Sequence, residues 1–96
     1  MPSLSDKEIQ DRLGQLPGWL HAGNALHRKF EFASFMPGIR FVNKIAEAAE
    51  KLQHHPDITI NYNVVSISLS THSEGGVTAK DFSLAQQIDA LAAVSV

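Results

Sequence analysis

Apolar positions recur along the chain in two periods, one typical of helices and one typical of strands. Near the N-terminus the apolar residues are spaced by three or four positions, as on one face of a helix. These residues are Ile9, Leu13 and Leu16. Ser5 and Glu8 stand ahead of them as a capping box, in which each side chain can satisfy the other residue's backbone N–H. The pattern predicts a short first helix that Pro17-Gly18 stops.

Two strands are expected next, over residues 19–21 and 26–32. Gly23-Asn24 lies between them and supplies the turn chemistry of a hairpin. In the second strand the two phenylalanines share one parity and the charged residues share the other. This alternation is typical of a strand that is buried on one side only.

A long central helix follows, with Ser34 as its expected N-cap and Pro37 in its first turn. Its apolar positions, spaced by three or four residues, are Phe35, Ile39, Val42, Ala46, Ala49 and Leu52. We expect the helix to end at or before His55, because the residue that precedes Pro56 is pushed out of the helical region.

The last part of the chain predicts a second hairpin and a final helix. Residues 58–62 and 65–71 alternate apolar and polar positions around a turn at residues 61–63. Gly75-Gly76 marks the next break, and Thr78 is the expected cap of a helix whose apolar stripe begins at Phe82. The order is helix, two strands, helix, two strands, helix. It predicts an α+β fold, with one four-stranded antiparallel sheet and the helices packed on one face.

Composition limits the classes of fold, site and partner that this chain can have. A chain of 96 residues is the size of one small domain, so we expect residues 1–96 to form a single domain. The absence of cysteine excludes disulfides, a thiolate nucleophile and a Cys-based zinc site. A net charge of -2 with scattered basic residues argues against direct nucleic-acid binding. Neither a signal peptide nor an apolar run of membrane-spanning length is visible, so we expect a cytoplasmic protein without a membrane partner.

The candidate chemistry lies in His54-His55-Pro56, at the predicted end of the central helix, and in His72 and Asp81 downstream. Imidazole donates and accepts protons near neutral pH, so three histidines and a carboxylate are suitable groups for proton transfer. Each residue also has a structural explanation. The adjacent histidines can simply finish a helix, where the C-terminal end of the helix dipole favours positive charge.

Structural explanations are stronger for the remaining candidates. His72 falls at the polar face or the end of its strand, where it would be an exposed histidine. Asp81 is three residues after Thr78 and so fits a capping box without any catalytic role. Glu50 lies one helical turn before His54, where it can orient that imidazole or lie on a solvated face.

Taken together, these residues form a family pattern. From Glu50 the order is three residues, the His-His-Pro motif, five residues, Tyr62, nine residues, His72, eight residues and Asp81. This spacing resembles the pterin-4a-carbinolamine dehydratase family. The similarity also includes residues 49–52, 69–72 and 30–35, and it covers most of the chain from about Trp19 onward.

The resemblance implies a dehydratase that converts 4a-hydroxytetrahydrobiopterin to quinonoid dihydropterin and water and so supports tetrahydrobiopterin recycling. The family's catalytic histidines correspond here to His54, His55 and His72. The first and third are usually the acid and base, and the second contacts the pterin. By the same resemblance Glu50 and Asp81 orient the histidines or contact the pterin ring.

Lys80 is a further expected substrate-binding residue, although animal members carry an arginine there and lysine lacks the fork geometry for bidentate contacts. The implied reaction needs no redox cofactor and no metal. The expected partners are the small-molecule pterin and further copies of this chain, because family members form homodimers that extend the sheet and homotetramers through helix packing.

Three alternatives stay open at this point. Animal relatives also act as dimerisation cofactors of a homeodomain transcription factor, so a non-enzymatic interaction module is one of them. The wider family makes a pterin-binding role in molybdopterin metabolism another. A zinc site built from His54, His55 and His72 is the third, although adjacent histidines diverge unless the backbone bends.

Overall fold

The structure is a computed structural model that describes residues 3–95, with the side chains of the last two of these left aside. The elements follow the predicted order of helix, two strands, helix, two strands, helix. They are α1 (Asp6–Leu13), β1 (Leu20–Ala22), β2 (Ala25–Glu31), α2 (Phe35–Leu52), β3 (Asp57–Asn61), β4 (Val64–Leu69) and α3 (Ala79–Ser95), with a single 3₁₀ turn at His72–Glu74. The predicted α+β architecture is therefore confirmed.

One antiparallel sheet has the strand order β1-β2-β4-β3, so β4 is central and β3 is an edge strand. Leu26 of β2 pairs with Leu69 of β4, and Ile67 of β4 pairs with Ile58 of β3. Apolar residues therefore share one face and pack against the helices, whereas Asp57 and its partner Ser68 lie on the opposite, polar face.

The core between α2 and the sheet is aromatic at its centre. The fully buried ring of Phe41 on α2 lies 5.0 Å from the ring of Phe30 and 5.2 Å from that of Phe32. Gly38 of α2 also faces the central strand, where a Cβ would lie 3.4 Å from Val65, at van der Waals distance. The sheet and α2 are thereby held at a fixed separation, which positions the end of α2 relative to β3.

The first helix is shorter than predicted. Its capping box is present, since the Ser5 hydroxyl accepts from the Glu8 N–H and the Glu8 carboxylate accepts from the Ser5 N–H. However, α1 ends at Leu13, four residues before Pro17. The Leu16 N–H bonds to the carbonyl of Leu13, three residues back, so the chain tightens and carries Leu16 into the core outside the helix.

The central helix ends at Leu52, as the proline after His55 predicted. Gln53 adopts the left-handed conformation with φ of 51°, and its side-chain amide donates to the Glu50 carbonyl at 2.7 Å. At the other end Ser34 occupies the N-cap position, but its side chain makes no capping hydrogen bond.

The second hairpin turns within the predicted region 61–63, and β3 ends one residue earlier than expected. Tyr62 belongs to a two-residue turn rather than to β3, with φ of 52° and a side chain that is 63% exposed. The reason lies in Asn63, whose side-chain amide donates to the Phe32 carbonyl at 2.7 Å while its own carbonyl accepts from the Phe32 N–H at 2.9 Å. These bonds hold the turn against the end of β2. No helix within residues 3–95 is both long and apolar enough to cross a membrane.

Candidate active site

The two adjacent histidines leave α2 into different surroundings. The left-handed turn at Gln53 ends the helix, and the His54 N–H then donates to the Ala49 carbonyl at 3.1 Å. His54 is 9% exposed, whereas His55 is exposed to solvent. The backbone bend thus directs one imidazole into the protein and leaves the next one at the surface.

His72 lies on a short loop whose two ends are joined by a β-bridge. Thr71 and Gly76 form an isolated β-bridge, with the Thr71 N–H donating to the Gly76 carbonyl at 2.9 Å. Between them, the 3₁₀ turn His72–Glu74 ends at Gly75, which has a left-handed φ of 74°. His72 is exposed, as its position at the strand end predicted. Its backbone is nevertheless held by the bridge.

Asp81 lies in the first turn of α3 and is completely buried. One carboxylate oxygen, Oδ2, accepts from the Thr78 N–H at 2.9 Å, while the Thr78 hydroxyl accepts from the Lys80 N–H at 3.3 Å. These are the bonds of a helix-capping motif. The structural explanation of Asp81 therefore holds.

The same carboxylate also contacts a histidine. Oδ1 of Asp81 lies 2.5 Å from Nε2 of His54, and Oδ2 accepts a second hydrogen bond from the Thr71 hydroxyl at 2.9 Å. Capping α3 and holding His54 are thus two tasks of one side chain. The arrangement joins the end of α2, the end of β4 and the start of α3 through buried hydrogen bonds.

Glu50 does not orient His54, contrary to one of the two sequence interpretations. Its carboxylate bonds with Nε2 of His55 instead. Both side chains of this pair are largely exposed, at 69% for Glu50 and 59% for His55. The reason is the left-handed turn, which rotates His54 away from the helix face that carries Glu50. Lys80 is exposed beside Asp81, and its backbone N–H takes part in the cap.

A cleft of about 290 Å³ lies next to His72, on the polar face of the sheet. Its lining residues include Asp57, Ser68, Ser70, His72, Gly75 and Asn24. Of the expected site residues, only His72 lines this cleft. The others, which do not line it, are Glu50, His54, His55, Lys80 and Asp81. Sequence analysis missed Asp57, Ser68 and Ser70. The signal that could have found them is the parity of the serines in β4, which places them on the side of the sheet that Asp57 shares.

The histidines are also not arranged as a metal site. Among residues 3–95, no group of three or more His, Asp or Glu side chains has the geometry to hold a metal ion. The Nε2 atoms of His54 and His55 are each occupied by a different carboxylate. What the arrangement offers chemically is a buried, oriented imidazole at His54 and exposed imidazoles at His55 and His72, groups that suit proton transfer.

Comparison with known proteins decides the family. The family model described as pterin 4 alpha carbinolamine dehydratase matches residues 2–91. The chain belongs to this dehydratase family. A relative from a Picosynechococcus species is 50% identical over 88 residues, which cover 92% of this chain and 96% of the relative. One from Sulfolobus acidocaldarius is 48% identical over 86 residues, covering 90% and 94%. Both carry provisional names as pterin-4-alpha-carbinolamine dehydratases.

Solved structures agree with this dehydratase fold. A protein from Brucella melitensis, described as a transcriptional coactivator/pterin dehydratase, superposes with a TM-score of 0.91 at 38% identity and covers 94% of this chain and 98% of its own. A pterin dehydratase-like protein, identified as a RuBisCO assembly factor in the alpha-carboxysome, superposes with a TM-score of 0.64 at 24% identity over 77% of this chain and 86% of its own. The second likeness concerns the fold alone.

Proposed function

We propose that this protein is a 4a-hydroxytetrahydrobiopterin dehydratase. The observation that carries the proposal is the buried contact of His54 with Asp81, which Thr71 connects to the loop of His72. Family membership supplies the class of substrate, and the site supplies groups that can move protons.

The reaction breaks the C4a–O and N5–H bonds and forms an O–H bond and the second bond between C4a and N5. In the carbinolamine, the bond between C4a and its hydroxyl oxygen breaks, and the oxygen leaves as water after it gains a proton. N5 loses its proton, and its electron pair forms the C4a=N5 double bond of the quinonoid dihydropterin. One group must therefore donate a proton and another must accept one. No electron is gained or lost overall.

We assign these two tasks to His54 and His72 and leave open which of them is the acid. His54 is oriented by a buried carboxylate, whereas His72 lines the cleft and is exposed to solvent. His55 is exposed with its partner Glu50, and we assign it to contact with the pterin. In this scheme Glu50 acts through His55, by holding that ring in position.

The cleft beside His72 is our proposed position for the pterin ring. A pterin edge presents amide and amine groups, and the side chains of Asp57, Ser68 and Ser70 offer acceptors and hydroxyls that match them. Lys80 stays a proposed substrate contact on the basis of the family resemblance, because its side chain lies outside the lining of this cleft.

The wider role follows from the same chemistry. We propose that the enzyme supports tetrahydrobiopterin recycling in the cytoplasm as a homodimer or homotetramer. The edge strands β1 and β3 support association, because unpaired backbone groups at a sheet edge favour pairing with a second chain. Sedimentation analysis of the purified protein tests the predicted oligomer.

The decisive experiment measures the decay of freshly generated 4a-hydroxytetrahydrobiopterin by absorbance, with and without the purified protein. We expect the protein to accelerate the decay catalytically, and the double variant His54→Ala/His72→Ala to return it to the uncatalysed rate. The double variant His21→Ala/His27→Ala is the matched control, since those histidines lie in the first hairpin. Decay at the uncatalysed rate with the wild-type protein rejects the proposal.

A further inference from the structure

Thr71 lies at the junction of the two halves of the site. Its backbone closes the loop that carries His72, through the bridge to Gly76. Its buried side chain contacts Thr78 at 2.8 Å and Asp81 at 2.9 Å. Neither contact is needed to complete the sheet, because Thr71 lies two residues beyond Leu69, the last residue of β4.

The directions of these hydrogen bonds follow from counting hydrogens. An ionised carboxylate only accepts, so the single hydroxyl hydrogen of Thr71 points to Asp81. The bond between the two threonine hydroxyls must then be donated by Thr78. Asp81 consequently accepts from Thr71, from the Thr78 N–H and from His54.

The same counting identifies which nitrogen of His54 carries a fixed hydrogen. Imidazole binds a proton more tightly than a carboxylate does, so the hydrogen shared with Asp81 belongs to Nε2 of His54. Nδ1 is left as the nitrogen whose proton can come and go. No buried side-chain nitrogen or oxygen in the described part of the chain lacks a hydrogen-bond partner. The side chain of His54 is 10% exposed and its Nε2 is bonded to Asp81, so Nδ1 is the nitrogen available to a substrate.

We propose that Thr71 is a positioning residue that holds Asp81 so that Nε2 of His54 keeps its hydrogen and Nδ1 exchanges protons with the substrate. The assignment of Nδ1 to the substrate rests on the proposed dehydratase function. The fixed tautomer rests on the hydrogen bonds alone. Both hold whether His54 acts as acid or base, because Nε2 is protonated in the neutral and in the charged ring.

Two substitutions at Thr71 and one matched control test the proposal. Thr71→Val keeps the shape but removes the hydroxyl, and Thr71→Ser restores it. Thr59→Val makes the same chemical change at an exposed position of β3 that does not line the cleft beside His72. We expect Thr71→Val to lower kcat about tenfold or more, part of the roughly 10²–10⁴-fold attributed to a general acid or base. KM should change less than about threefold, because Thr71 acts through Asp81. Thr71→Ser and Thr59→Val should keep kcat near the wild-type value.

The second readout is the nitrogen NMR spectrum of ¹⁵N-histidine-labelled protein, which distinguishes the two tautomers without any turnover. We expect His54 in the wild type and in Thr71→Ser to show hydrogen on Nε2 and a titrating Nδ1. In Thr71→Val the two tautomers should mix. A wild-type spectrum with hydrogen fixed on Nδ1 overturns the proposal, and so does an unchanged His54 spectrum in Thr71→Val. If these spectra are as expected but neither the wild type nor any variant accelerates dehydration, the fixed tautomer stands and the dehydratase function is rejected.

Discussion

Two adjacent histidines of this protein each pair with a carboxylate, yet the two pairs differ in almost every physical respect. The side chains of His54 and Asp81 are 10% and 0% exposed, whereas those of His55 and Glu50 are 59% and 69% exposed. Asp81 accepts two further hydrogen bonds, from Thr71 and from the Thr78 backbone. The exposed pair is local, since its two residues are only five positions apart in the sequence.

The difference shows which contact can fix the hydrogen position of a histidine ring. A buried carboxylate that receives several donors has one arrangement, because any change leaves a buried polar atom without a partner. Water can replace either member of an exposed pair, and salt screens their attraction. We therefore expect the hydrogen position of His54 to depend on its carboxylate. Loss of the contact between His55 and Glu50 should hardly change the stability of the protein.

The largest effect should follow removal of the buried imidazole. His54→Ala should lower turnover per folded molecule by about 10²–10⁴-fold, or less because the carbinolamine also dehydrates unaided. It should also destabilise the protein, by roughly 1–3 kcal/mol, because the buried Asp81 carboxylate then loses a hydrogen-bond donor. Calorimetry and the dehydration assay measure the two losses.

His72→Ala separates chemistry from folding in this comparison. Because His72 is exposed, its removal should lower turnover within the same range while the melting temperature changes little. Wild-type activity in both the His54 and the His72 variant would remove both residues from the mechanism.

The second largest effect on turnover should come from substitution of Asp81, and it should be absent when Glu50 is substituted. Asp81→Asn keeps an oxygen for Thr71 and Thr78 but presents an amide N–H to His54, which forces hydrogen onto Nδ1. The variant should fold and lose at least about tenfold in turnover, as a fraction of the general acid–base contribution. The matched variant Glu50→Gln should keep turnover within about threefold, since its pair is solvated. Equal losses in both variants would contradict the distinction between buried and exposed pairs.

A smaller effect concerns binding by the exposed pair. A stable reduced pterin such as dihydrobiopterin should raise the melting temperature, because a ligand that binds only the folded state stabilises it. His55→Ala should reduce this shift more than His21→Ala does. Differential scanning fluorimetry over a range of pterin concentrations measures both, and identical shifts in the two variants would exclude His55 from the binding site.

The smallest effect comes from an exposed carboxylate in a capping box, the counterpart of buried Asp81. Hydrogen bonds with the Ser5 backbone, and then with the Ser5 side chain, hold the pKa of Glu8 below its ordinary value of 4.5. A carboxyl whose pKa is lower in the folded than in the unfolded state contributes stability above that ordinary value and loses it as pH falls through the folded value. Ser5→Ala should therefore lower the melting temperature slightly at pH 7 and by less at pH 3. A difference from wild type that grows in acid would be inconsistent with this account.

The fold was predictable because its determinants are local. Pro56 sets the position beyond which α2 cannot continue, Gly23-Asn24 turns the first hairpin, and the alternation in β4 distinguishes its buried face from its polar face. Misplaced boundaries had tertiary causes. Asn63 bonds across to Phe32 and so draws Tyr62 into the turn, and no pattern within β3 reports that contact.

The sequence by itself determined the histidines, the cap of α3 and the family pattern, because residue type and spacing are enough for each. Only the tertiary structure decided which carboxylate serves which histidine. Glu50 is near His54 in sequence, but because of the left-handed turn at Gln53 its carboxylate contacts His55 instead. Asp81 is 27 positions from His54 and reaches it because α3 packs beside the end of α2. Pairing across such a distance depends on how the elements pack together, and local spacing does not contain that information.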